Sequence, residues 1–177
     1  YTTLFRSNRI LFSFISLIKI HNENLYKHSM NVGKLSKRFA KHLKLTEDLI
    51  DEAYYAGILH DIGYILQEKN NIKEYLEDDE EHIYNAYKVM KNIENLEGIA
   101  QIVYYHHEKY DGSGYPEGIK GSKIPVVSQV LALANFYEQE KNILKKHDKE
   151  IKELLNKQRD VAFDSSLVDE FFKMVGL

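Results

Sequence analysis

The sequence predicts an all-α protein of one domain, and three observations carry that expectation. Only two prolines interrupt 177 residues, and long stretches are rich in Leu, Ile, Lys and Glu, which favour helices. Apolar positions recur with the three-and-four spacing of a helix's buried face. Hydrophobic residues make up 44% and charged residues 29%, a globular balance with enough apolar material for one core.

Residues 5–22 carry apolar positions at helical spacing and form a leading helix within a single domain spanning 1–177. From Asn24 to Leu45, Val32, Leu35, Phe39 and Leu43 mark one buried face, with His28 one turn before Val32. Thr46 is the expected cap of the next helix, with Glu47 and Asp48 suiting its dipole. That helix buries Leu49, Ala53, Ala56 and Gly57, carries His60 on the same stripe and ends at Gly63. The acidic run Glu77–Glu81 precedes a helix from His82 to Ile93, and another spans Ile99 to His107. Gly112 to Lys123 reads as a loop, and Pro125 as a first helical position. Helices follow over 126–142 and 145–157, and a last one, capped by Asp164 or Ser165, runs to Val175.

A net charge of −3 with interspersed signs gives no basic surface for a nucleic-acid polymer. No cysteine is present, which suits a cytoplasmic setting. The apolar run Ile10–Ile18 is too short to span a bilayer, which takes roughly 20 residues. A first residue Tyr1 rather than methionine suggests a fragment, with a sensor or receiver domain expected upstream.

The chemistry concentrates in histidines. His28, His60, His82, His106 and His107 lie on apolar faces or at helix ends, and Asp61 follows His60 directly. Burying that many imidazoles without a metal would demand a partner for every ring nitrogen. Imidazole and carboxylate together suit divalent ions of borderline softness. His21, His42 and His147 stand in polar surroundings and read as surface residues.

The order His28, His60-Asp61 and Asn135 resembles the HD phosphohydrolase superfamily, whose pattern is His, His-Asp and a distant Asp. His82 and the block His106-His-Glu-Lys-Tyr-Asp-Gly-Ser-Gly-Tyr-Pro116 are similar to the HD-GYP subfamily, and the likeness covers residues 9–172. The resemblance implies an all-helical fold of about seven helices around a metal centre. It implies that His28, His60, Asp61 and position 135 hold one metal, and that Asp61 bridges to a second held by His82, His106 and His107. Iron, manganese or nickel would fit this nitrogen-rich set. Asp61 and His60 would carry catalysis, while Tyr64, Asp111, Gly112, Gly114 and Tyr115 would meet the substrate. The implied reaction is hydrolysis of cyclic di-GMP to pGpG and GMP. The Gly114-Tyr115-Pro116 loop is a candidate contact for a partner protein.

Three departures remove charge from that pattern. The distant aspartate is Asn135, in Asn135-Phe-Tyr-Glu138; the lysine after the His-Asp pair is Tyr64; and the basic segment that follows reads Gln139-Glu140-Lys141. A glutamate that holds a third metal in some members is Asn24, with Glu23 about 100° away around the helix, so two metals are expected rather than three. The metal site completed by Asn135 is expected to be the weaker one. Two main functions follow: a phosphodiesterase with reduced turnover, or a non-catalytic signalling module that binds nucleotide or a partner protein. The enzyme is preferred over the module, and a hydrolase for another phosphorylated small molecule comes last because the Gly-Tyr-Pro block argues against it.

Overall fold

The structure, a computed structural model, describes residues 8–67, 72–76 and 80–177. Among these residues it comprises eight α-helices: α1 (Asn8–His21), α2 (Glu23–His42), α3 (Glu47–Leu59), α4 (Glu80–Met90), α5 (Glu97–Tyr104), α6 (Val126–Glu138), α7 (Asp148–Lys157) and α8 (Ser165–Val175). Beta structure in the described residues is limited to one isolated bridge between Arg159 and Phe163. None of the described helices is long and apolar enough to cross a membrane.

The centre of the fold is the hairpin of α2 and α3. Asn22 starts α2 by accepting hydrogen bonds from the N–H groups of Asn24 (2.8 Å) and Leu25 (3.0 Å). Val32 and Phe39 on α2, with Ala53 and Ala56 on α3, are fully buried between the helices and their neighbours. The two backbones meet at Gly33 and Gly57, where a Cβ on Gly57 would lie 2.6 Å from the Gly33 Cα. Two glycines facing each other allow that approach, and it sets the imidazoles of His28 and His60 side by side. The leading helix α1 adds Leu11 and Ile18 to the same core.

Several boundaries differ from the sequence expectations for identifiable reasons. Residues 5–7 of the expected first helix and 77–79 of the acidic run lie outside the described residues. Glu80 and Glu81 form the first turn of α4, so that helix starts within the acidic run rather than after it. Gly63 does not end α3, which stops at Leu59; it lies in a 3-10 turn, Ile62–Leu66. A Cβ there would lie 1.9 Å from the His82 carbonyl oxygen, so the glycine lets the turn press against α4. Pro125 caps α6 instead of opening it, and α6 gives way to a π-helical turn, Gln139–Ile143. Lys145, with φ 59°, breaks the chain before α7, which begins three residues later than the spacing suggested. Asp164 is the cap of α8, accepting from Ser166 N at 2.7 Å.

Candidate metal centre

Three structural devices bring the histidines together. The Gly33–Gly57 crossing supplies His28 and His60. The Gly63 turn draws His82 towards them, with the ring of Tyr64 stacked on His82 at 4.4 Å. The end of α5 supplies the last pair. Neighbouring residues on a regular helix point about 100° apart. Here α5 ends at Tyr104, so His106 and His107 lie in the turn beyond it, contrary to the expected helix up to His107, and their ring centroids are 4.2 Å apart. The rings run in a row, with centroids of His28 and His60 at 5.3 Å, His60 and His106 at 5.4 Å, and His82 and His106 at 5.9 Å.

Asp61 lies between two groups of donors. Its Oδ2 is 3.1 Å from His60 Nε2 and 3.6 Å from His28 Nε2, while its Oδ1 is 4.0 Å from His82 Nε2. The donor atoms of His28, His60 and Asp61 all lie within 4.8 Å of one another, and so do those of His82, His106 and His107.

The outer nitrogens of these rings are held by the protein. His60 Nδ1 donates to Gly57 O at 2.9 Å and His106 Nδ1 to Val103 O at 2.6 Å. His28 Nδ1 donates to the Glu138 carboxylate, and His107 Nδ1 shares a 3.0 Å hydrogen bond with the Tyr115 hydroxyl. A donating Nδ1–H leaves Nε2 as the ligand atom, and Nε2 is the atom that His28 and His60 turn to Asp61. His106 Nε2 and Asn135 Oδ1 are buried without a hydrogen-bond partner among the described residues. Inward lone pairs, fixed tautomers and orphaned acceptors are what divalent metal ions would satisfy, so the donor set fits the metals that the sequence implies.

The electrostatics differ along the row. Burial opposes the charge on Asp61, yet the charge and hydrogen bond of His60, with His28 and His82, hold its carboxyl far below the usual range. Burial likewise pushes His60 down, but Asp61, the Gly57 carbonyl and Glu138 together raise it above its ordinary value. His106 is driven well below its ordinary value, by burial first and then by His107, His60 and His82.

The expected substrate residues fare unequally. Tyr64 is 1% exposed, and its hydroxyl donates to Tyr75 O at 3.4 Å. Asp111 is exposed and closes its own loop by accepting from Ser113 N at 2.8 Å. Gly112 takes φ +87°, and a Cβ on Gly114 would lie 2.4 Å from His107 O, so both glycines shape the loop that returns to His107. Tyr115 stacks on His107 at 5.0 Å besides bonding its Nδ1. Asn135 lines a cavity of about 280 Å³ with His106, His107, Glu108 and Lys109. Asn24 and Glu138 border a second cavity, about 470 Å³, that reaches His28 at the other end of the row, while Glu23 pairs with exposed Lys27 at 3.7 Å.

Two buried carboxylates were not among the sequence candidates. Glu108 accepts from Glu117 N at 2.7 Å and pins the Gly-Tyr-Pro loop. Glu138 is 3% exposed and also accepts from Asn31 Nδ2 at 3.2 Å. Burial works against its charge, but His28, Asn31 and Asn142 outweigh that and lower its pKa. The available signal was its place three residues after Asn135, on the same helix face.

Comparison with known proteins agrees with this geometry. Residues 13–167 match the HD domain family. A cyclic di-GMP phosphodiesterase of Thermotoga maritima is 30% identical over 141 residues, covering 72% of this chain and 38% of that protein. The 3'3'-cGAMP-specific phosphodiesterase 1 of Vibrio cholerae is 28% identical over 131 residues, covering 70% of this chain and 30% of that one. The chain thus spans about a third of the length of these relatives. A crystal structure of a cyclic GMP-AMP specific phosphodiesterase from V. cholerae superimposes with a TM-score of 0.73 at 18% identity, over 94% of this chain and 48% of that one. The all-helical fold expected from the sequence is therefore shared with solved relatives. With the family match running through both histidine groups and the aspartate between them, this chain belongs to the HD domain family, in its HD-GYP branch.

Proposed function

We propose that this domain hydrolyses a phosphodiester bond of a cyclic dinucleotide, with cyclic di-GMP as substrate, in a centre of two divalent transition metals. The observation that carries the reading is Asp61, which turns one oxygen to each of two histidine groups. Iron, manganese or nickel suit a donor set so rich in imidazole. Bound there, such ions supply Lewis acidity to the phosphate oxygens and lower the pKa of a water to the neutral range.

The chain's own groups supply the geometry. His28, His60, Asp61 and Asn135 are proposed to hold one ion, and Asp61 with His82, His106 and His107 the other. Asp61 keeps its charge at neutral pH, and the Nδ1 hydrogen bonds of His60 and His106 fix the orientation of those two rings. Lys109, on the cavity beside His106 and His107, is placed to meet a phosphate. The names of the relatives support cyclic dinucleotides as the substrate class.

The test is chromatography of cyclic di-GMP and 3'3'-cGAMP incubated with metal-loaded protein. Linear dinucleotide, followed by mononucleotide, is expected. A protein carrying both metals that leaves both substrates intact at stoichiometric enzyme would overturn the reading. One observation favours a non-catalytic nucleotide-binding module instead: the buried, uncharged Tyr64 stands where the family resemblance implies a lysine. Retention of intact cyclic di-GMP without turnover is the outcome that module predicts.

A further inference from the structure

We propose that Glu138 acts from behind His28 as the positioning carboxylate of the first metal site and offsets the charge absent at Asn135. The inference rests on the two-metal reading above.

Asn135 and Glu138 are three residues apart on α6, so they share a face. Asn135, 7% exposed, offers only a neutral amide, whose buried Oδ1 has no hydrogen-bond partner among the described residues. Glu138 lies on the far side of the His28 ring and accepts its Nδ1–H. Opposite, His28 Nε2 is 3.6 Å from Asp61 Oδ2. Carboxylate, imidazole and metal donor thus stand in one line. A carboxylate on the outer nitrogen fixes the tautomer, orients the ring and makes the inner nitrogen more basic towards a cation.

The carboxylate is itself held. Asn31 Nδ2 donates to Oε1 at 3.2 Å, and Asn142, delivered by the π-helical turn just after α6, donates as well. Asn142 follows Glu138 by four residues, so the turn keeps it over the carboxylate. A carboxylate 3% exposed and bonded on several sides has its rotamer chosen by the fold rather than by solvent. Two imidazoles of the second group are held in a different way. Those whose outer nitrogens have an assigned partner use a backbone carbonyl (His106) or a phenol (His107), and neither carries charge.

The experiment is calorimetric titration of metal-free protein with Mn²⁺, together with elemental analysis, on wild type, Glu138→Gln and Asn135→Asp/Glu138→Gln. Wild type is expected to bind two ions. Glu138→Gln should keep one and lose the other by roughly 10- to 100-fold in affinity. The double variant, with its carboxylate moved one turn along α6, should regain the second ion. Glu138→Gln binding both ions as wild type does would overturn the inference, as would a loss that Asn135→Asp does not repair. Wild type that takes up no ion would instead overturn the metal centre itself. A second measurement needs no mutation: nitrogen-15 spectra of metal-free wild type at alkaline pH should show His28 as the Nδ1–H tautomer. The Nε2–H tautomer would contradict the proposed role.

Discussion

The two halves of the histidine row are built on opposite electrostatic principles. His28 and His60 stand among carboxylates: Asp61 in front of both and Glu138 behind His28. His82, His106 and His107 stand mostly among one another, within reach of one Asp61 oxygen at 4.0 Å. The same degree of burial therefore has opposite consequences. His60 is drawn above its ordinary pKa, and His106 is pushed well below it. Counter-charge within van der Waals reach outweighs desolvation at His60, while burial and neighbouring imidazoles act in the same direction at His106. A metal ion binding His60 would compete with a proton held more tightly than on a free imidazole, while one binding His106 would meet a nitrogen that gives up its proton readily.

Asp61 stands near histidines of both halves and is proposed to serve both, so its loss should erase the difference between them. Asp61→Ala is expected to lower affinity at both sites by at least about 100-fold and to abolish turnover. It also leaves His60 buried beside no carboxylate of its own, which should destabilise the metal-free protein by about 3 kcal/mol. Calorimetry and denaturant unfolding read the two effects. Retention of one site at wild-type affinity would show that the halves do not share this residue.

The scaffold beneath the second half can be broken separately. Gly63→Ala places a methyl 1.9 Å from the His82 carbonyl, backbone against backbone, with no flexible side chain to give way. Overpacking of that kind costs about 3 kcal/mol, and α4 must shift to relieve it. Denaturant unfolding should record that loss, and metal titration should show the His82, His106 and His107 site weakened more than the His28 and His60 site. Equal weakening of both would mean that Gly63 acts on the whole core.

A smaller change sharpens the contrast without moving the backbone. Tyr115→Phe keeps the ring stacked on His107 and removes the 3.0 Å hydrogen bond to its Nδ1. Affinity at the second site should fall roughly 10-fold while the first stays unchanged, measured by the same titration. An unchanged second site would leave Tyr115 as packing alone.

The helices were largely legible in the sequence because their buried faces repeat with helical spacing, and four of the six histidine and aspartate candidates stood out because they form two adjacent pairs, His60-Asp61 and His106-His107. What was hidden depends on distant chain segments. Gly63 and Gly114 read as a helix stop and a loop turn, yet each is required by a backbone that arrives from elsewhere, His82 or His107. Glu138 reads as an ordinary acid near a charged run, and only folding sets it against His28, 110 residues away in the chain. Tyr64 read as a lysine's replacement at a phosphate, and only folding stacks it on His82 and buries it. Asn135 stood out in the sequence as neutral, while the carboxylate three residues further on went unnoticed.

The smallest expected effect is a pH dependence of the metal-free protein. A lowered His106 contributes stability present above its unfolded pKa of about 6.5, and this is lost as pH falls towards the folded value. A raised His60 contributes stability present below about 6.5, and this is lost as pH rises through the folded value. The two slopes oppose, so thermal melts should show a maximum near pH 6.5, the ordinary histidine value, with stability falling on either side. Manganese should reverse the alkaline limb, because metal binding needs deprotonated rings. A metal-free profile that rises steadily through this window would mean that His60 holds no extra proton.

The most direct measurement is a crystal structure of the manganese-loaded protein with anomalous difference maps. Two peaks are predicted, one against His28 and His60 and one against His82, His106 and His107, with a separate Asp61 oxygen on each. A single peak, or an Asp61 that touches only one ion, would contradict a centre divided into these two halves.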